Sequence, residues 1–159
     1  MRRELVILRH AKSDWPYGVA DDERPLAERG RRDAPAAGRW LRAHVPAFDL
    51  VLCSTAKRAR QTWHLVRREL GGSPEVNHDG RLYGASADTL TRIARELPGD
   101  AHTVLFIGHN PGLEDFVSTL ADRGCTLKTS SIAVLSGTGD WADVRPGWAS
   151  LDDVAKPRG

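Results

Sequence analysis

Three short, uninterrupted apolar runs, each stopping at a cationic or glycine-rich turn, set the tightest limit on how this chain folds. Leu5-Val6-Ile7-Leu8 ends at Arg9-His10, and Leu50-Val51-Leu52-Cys53 leads into Ser54-Thr55-Ala56-Lys57-Arg58. Val104-Leu105-Phe106-Ile107 ends at Gly108-His109-Asn110-Pro111-Gly112. A strand with one face in water alternates apolar and polar residues, so unalternating runs predict strands covered on both faces, as in a parallel sheet. In open α/β sheets ligands gather beyond the carboxyl ends of such strands. The pattern therefore delivers Arg9, His10, Arg58 and His109 to one edge, as a cationic pocket that holds a nitrogen nucleophile and suits a phosphoryl group.

The segments between the runs supply helices. Residues 31–44 read as one helix, and Pro35 places its first turn nearby, because proline is tolerated there and not further in. Residues 59–70 form a second, stopped by Gly71-Gly72, and 86–97 a third, stopped by Pro98-Gly99. A fourth begins after Asn110, an N-cap followed by Pro111. A short strand is expected near Glu75-Val76. Ile132–Leu135 and Trp141–Val144 read as a hairpin around Gly137-Thr138-Gly139-Asp140, and the tail from Leu151 to Gly159 as loosely held. The expectation is one α/β domain over residues 1–159, a three-layer sandwich whose mostly parallel sheet carries an antiparallel edge strand.

Composition narrows the function classes. The excess of 23 Lys+Arg over 21 Asp+Glu is too small to predict nucleic-acid or membrane binding. Arg29-Gly30-Arg31-Arg32 reads as the solvated first turn of a helix. Cys53 and Cys125 make no disulfide framework, and Met1-Arg2-Arg3-Glu4 precedes too few apolar residues for a secretion signal, so the expected compartment is the cytoplasm. No two histidines stand at His-x-His or His-x-x-x-His spacing, so no metal or other cofactor is expected.

The motifs at the strand ends resemble those of the histidine phosphatase superfamily. Leu8-Arg9-His10-Ala11 is similar to its Arg-His-Gly signature, with alanine for glycine. Ser54 to Thr62 is similar to its second element, an arginine before Ala-x-Gln-Thr, and Gly108-His109-Asn110 to its third. Asp21-Asp22-Glu23-Arg24-Pro25-Leu26 and the small size most resemble the short SixA-type branch, the phosphohistidine phosphatases. The resemblance implies a phosphoglycerate mutase-like fold, His10 as nucleophile, and Arg9, Arg58 and His109 as the rest of the phosphate-binding core. It implies a metal-independent phosphatase acting on phosphohistidine in a protein or peptide. Small phosphoesters such as sugar or nucleotide phosphates are the alternative substrates, and a phosphate-binding module without turnover is a third reading.

The residues support that chemistry independently. A neutral imidazole attacks phosphorus and splits one displacement into two, and neighbouring guanidiniums are expected to hold it neutral. Arginine forks pair with the equatorial oxygens of the migrating group. Asp14, Asp21 and Asp22 are the candidate general acids, with Glu114 an outsider. Asp21 is favoured because it stands three residues before Arg24-Pro25-Leu26. Ser13 is either a phosphate donor or a turn residue, and Asn110 either a cap or a ligand contact. Trp15 and Tyr17 either wall the substrate or pack the 11–25 loop down. Alanine at position 11 tests whether the residue after the nucleophile needs a positive φ.

Overall fold

The computed structural model describes residues 1–159. Its centre is a six-stranded sheet of β1 (Arg2–Arg9), β2 (Leu50–Cys53), β3 (Glu75–His78), β4 (Thr103–Gly108), β5 (Ile132–Thr138) and β6 (Ser150–Ala155). The strand order is β3-β2-β4-β1-β5-β6. β3, β2, β4 and β1 run parallel, while β5 is antiparallel to both β1 and β6. The three apolar runs are thus adjacent parallel strands, and Leu5 to Leu8 are wholly buried. Four helices cover the sheet: α1 (Glu28–His44), α2 (Lys57–Arg67), α3 (Ala87–Arg95) and α4 (Gly112–Ala121).

Alternate residues of each run feed two separate cores. Leu5, Ile7, Leu52, Val104 and Phe106 face α3 and α4, where Phe116 stacks on Phe106 with ring centroids 6.1 Å apart. Val6, Leu8, Val51, Leu105 and Ile107 face α1 and α2, against Leu41, Trp63 and Val66. Each fully buried side chain of this kind contributes about 1.5–3 kcal/mol, so the central strands need no polar face. The result is the expected three-layer α/β sandwich.

Three local expectations are corrected. α1 starts at Glu28, and Pro35 lies well inside it. Tertiary contacts decide this: Gly30 abuts the Lys12 carbonyl so closely that any Cβ would collide with it, and Asp33 is buried. Holding those residues outweighs the backbone bond that Pro35 cannot donate. The hairpin partner of β5 is β6, with a bulge near Val134 and Leu135, and Trp141–Asp143 is a 3₁₀ turn. Trp141 is drawn into the core, donates from Nε1 to the Ala101 carbonyl at 2.7 Å, and lies beneath the buried Arg3 guanidinium. The tail is held as well. Beyond β6 the Gly159 N–H donates to Asp33 Oδ1 at 3.0 Å, and Arg158 stands 3.8 Å from Asp33 Oδ2. No helix is long and apolar enough to cross a membrane.

Candidate active site

Strands β1, β2 and β4 end side by side, and their register carries Arg9, Cys53 and the Ile107–Gly108 pair to one rim. The next residues form the site. A cavity of about 280 Å³ is lined by Arg9, His10, Arg58 and His109, together with Lys12, Ser13, Trp15, Arg24, Asn110 and Thr129. The rings of His10 and His109, distant in sequence, stand with centroids 5.1 Å apart. No carboxylate is among the lining side chains.

His10 is buried, and its Nδ1 lies 2.7 Å from the Ala11 carbonyl oxygen. A carbonyl only accepts, so Nδ1 carries the proton and Nε2 keeps the lone pair. Burial is the main force lowering the His10 pKa to about 3, followed by the charges of His109, Arg58 and Arg9, against the Ala11 hydrogen bond. Desolvation, more than the guanidiniums, keeps this ring neutral. His109 Nε2 lies 2.8 Å from Ser54 Oγ, and burial first, then Arg58, lowers its pKa to about 4. Arg9 Nη1 donates to the Leu127 carbonyl at 3.0 Å. Arg58 stands in the first turn of α2, where the helix macrodipole disfavours a cation. Arg9 Nε, Arg58 Nε and His109 Nδ1 are buried with no partner in the protein. Three polar nitrogens of cavity-lining residues are thus left without a hydrogen bond inside the protein, a cost that native sites seldom bear without a reason.

Asp21 stands outside the cavity lining, within a clamp. Its Oδ1 accepts from Arg24 Nη1 and its Oδ2 from Arg58 Nη2, each at 3.0 Å, and Oδ2 also accepts from the Tyr83 hydroxyl. Those bonds, the Tyr83 hydroxyl foremost, hold its pKa far below the ordinary carboxylate range. Asp14 and Asp22 are exposed, and Glu114 Oε2 accepts from the Leu127 N–H at 2.7 Å. The N-cap of α4 is Pro111 and not the expected Asn110, which stands one residue earlier, accepts from the Glu114 N–H through Oδ1, and also lines the cavity. Ser13 Oγ accepts from Arg24 at 2.6 Å, and Trp15 lies under the Arg24 guanidinium, 3.3 Å from ring centroid to Cζ. Ala11 keeps an ordinary backbone, so its methyl is accommodated.

Besides Lys12, Thr129 and Tyr83, two further contributors to the site were not expected from the sequence. Arg24 is buried, lines the cavity, and is aimed by Ser13, Asp21 and the Asp14 carbonyl; its signal was the Arg24-Pro25-Leu26 motif, read there as a marker only. Ser130 adopts φ 61°, and its N–H bridges the Arg9 and His10 carbonyls, each at 3.1 Å. Strained backbone held against catalytic segments is a recurrent device, but nothing in Thr129-Ser130-Ser131 announces it. The polar residues of the second motif act as staples. Thr62 Oγ1 accepts from the Ala11 N–H and donates to the Arg58 carbonyl, while Gln61 Oε1 accepts from the Leu26 N–H.

The two neutral rings make stability depend on pH. In the unfolded chain both titrate near about 6.5; in the folded protein they titrate near 3 and 4. Between those limits the unfolded chain binds more protons, so stability falls as pH drops below about 6.5. At pH 5 each ring costs about 2 kcal/mol, from about 1.36 kcal/mol per unit over about 1.5 units. Urea unfolding at pH 7 and pH 5 should therefore show the native protein losing about 4 kcal/mol more than a His10→Ala/His109→Ala double variant. Equal losses would refute the neutral assignment.

Known proteins agree with this architecture. Residues 5–110 match the family model of the histidine phosphatase superfamily, branch 1. Rv1276c of Mycobacterium tuberculosis, a protein of uncharacterised function, is 43% identical over 162 residues, covering 95% of this chain and 100% of its own. A structure from Nakamurella multipartitia, provisionally named phosphohistidine phosphatase SixA, superposes with a TM-score of 0.88 at 37% identity, covering 99% of this chain and 97% of that one. A protein of the same provisional name from Agrobacterium tumefaciens gives 0.78 at 27% identity, covering 98% and 99%. The family match over two thirds of the chain, laid on a sheet that brings its motifs to one rim, makes this protein a phosphohydrolase of the histidine phosphatase superfamily, in its SixA-type branch.

Proposed function

We propose that the protein hydrolyses phosphohistidine in a protein or peptide, through a phosphoryl group carried on His10 Nε2. The observation that carries this reading is the lining of the cavity: two imidazoles, three arginines and a lysine, with no carboxylate. An alkoxide leaving group needs a strong acid, worth about 10²–10⁴ in rate. A phosphorylated imidazole leaves as a neutral ring once solvent has protonated its other nitrogen near the ordinary pKa of about 6.5. In the first step the His10 Nε2 lone pair attacks phosphorus, the substrate P–N bond breaks, and its electrons return to the departing ring. Arg9 and Arg58, with Arg24, Ser13, Asn110 and His109, hold the equatorial oxygens.

The phosphorylated His10 ring is cationic because Nδ1 keeps its proton on the Ala11 carbonyl. Water then attacks phosphorus, the bond to Nε2 breaks, and His10 departs as the neutral ring it began as. The water protons pass to phosphate and solvent. Asp21 serves in this scheme as the clamp that aims Arg24 and Arg58, and holds no proton to donate.

The test is a substrate panel with excess chelator present. Phosphohistidine protein should release inorganic phosphate with kcat/KM at least about 10² above phosphoserine peptide, sugar phosphates and nucleotides, the factor a missing acid withholds. Comparable turnover of the esters would favour the small-phosphoester reading. Turnover that chelator abolishes and zinc restores would overturn the metal-free scheme. Phosphate binding with no turnover of any substrate would leave a binding module.

A further inference from the structure

A second depression opens beside the catalytic cavity. It measures about 450 Å³ and shares Arg9, Lys12, Asn110 and Thr129 with its neighbour, so the two are continuous. Its other lining residues include Arg29, Lys128 and Arg158. The acids that face these five cations are few. Glu114 is engaged by the Leu127 N–H, and Asp33 beneath the groove pairs with Arg29 at 3.3 Å and lies 3.8 Å from Arg158. Lys12 and Lys128 are exposed and pair with no carboxylate.

We infer that this groove is a docking surface for the acidic flank of the phosphoprotein substrate, an inference that rests on the proposed phosphohistidine activity. Charge complementarity names the occupant: the groove holds three more positive than negative side chains even when Asp33 and Glu114 are both counted. Its openness sets the size of that occupant. Lys12, Arg29 and Lys128 are all exposed along a groove larger than the catalytic cavity, room for a chain carrying several carboxylates. The 11–25 loop adds apolar area of the kind protein interfaces use, with Trp15 75% exposed and Tyr17 wholly so. A partner whose phosphohistidine sits over His10 and whose carboxylates run past Thr129 toward Lys128 fits both depressions at once.

The test uses two phosphohistidine peptides of equal length, one flanked by Asp and Glu and one by Lys, with phosphoramidate as a small substrate. The variant is Thr126→Glu/Lys128→Glu, two exposed positions outside the catalytic cavity. The native protein should prefer the acidic peptide at least about tenfold in kcat/KM, and the variant should lose about tenfold on that peptide, taking each exposed charge pair as about threefold. Raising salt from about 0.05 to 0.5 M should erase most of the difference. Phosphoramidate turnover should stay within about twofold. Absence of a peptide preference in the native protein, or an equal loss on phosphoramidate, overturns the docking surface while the phosphatase reading stands. If no substrate turns over, that reading fails separately, and fluorescence anisotropy of the same two peptides decides the groove by the same tenfold criterion.

Discussion

Replacing His10 by alanine is expected to reduce phosphate release from phosphohistidine protein by about 10⁶, the scale on which loss of a covalent nucleophile acts in other hydrolases. The size follows from what His10 contributes. It is the buried ring whose proton is fixed on Nδ1 by the Ala11 carbonyl, which leaves Nε2 free to bond phosphorus. The other imidazole lining the cavity, His109, has its Nε2 2.8 Å from Ser54 Oγ. The change should leave the fold intact, since the carbonyls of residues 9 and 10 keep their bonds from the Ser130 backbone. Stopped-flow quench of the native protein with radiolabelled substrate should trap an acid-labile, alkali-stable phosphoprotein, and the variant should trap none. A variant that retains more than about a thousandth of native turnover would remove His10 from the role.

The second large effect belongs to Arg58. Arg58→Ala should lower kcat/KM by about 10³, between the loss of one preorganised donor and the loss of a guanidinium that neutralises a migrating phosphoryl group. Arg58→Lys should recover about tenfold of that loss, restoring charge without the planar fork. Asp21→Asn separates clamp from acid. Asp21 holds Arg58 through both its carboxylate and its backbone carbonyl, the latter at 2.6 Å, and the substitution leaves the carbonyl in place. The expected cost is about tenfold, with no change in the shape of the pH–rate profile. A general acid would instead lose an alkaline limb and far more rate on esters than on phosphohistidine.

The parts of this fold that were legible in the sequence are those with two buried faces. Leu5–Leu8, Leu50–Cys53 and Val104–Ile107 lie in the middle of a covered sheet, so their pattern has one reading. The charged residues that follow each run fall at a strand end whatever the surrounding details, which is why Arg9, His10, Arg58 and His109 could be gathered in advance. Strand β6 escaped because it is an edge strand whose residues are half or fully exposed, leaving Ser150-Leu151-Asp152-Asp153 with no apolar rhythm. Trp141-Ala142-Asp143-Val144 is richer in apolar residues, yet it forms a turn that buries its tryptophan. The start of α1 was hidden by Pro35 and by Arg29 to Arg32, whose position is decided by contacts to the Lys12 carbonyl and the tail. Within the site, the acid could be counted but not aimed. Asp21 and Arg24 lie three residues apart in a long loop, and only the folded loop turns one into the cavity and the other into its support.

The Ser130 bridge bears on how this enzyme could be trimmed or permuted. All four of Arg9, His10, Arg58 and His109 fall within the first 110 positions, so that stretch contains the groups proposed to react. It does not contain what keeps them still: the Leu127 carbonyl that receives Arg9, the Ser130 N–H beneath Arg9 and His10, and the Ser131 carbonyl that accepts from the Arg9 N–H at 3.1 Å. A shortened protein ending near Asn110 would carry all four of these side chains on an unbraced hinge, and cutting the loop before β5 would idle the proposed catalyst without removing any of them.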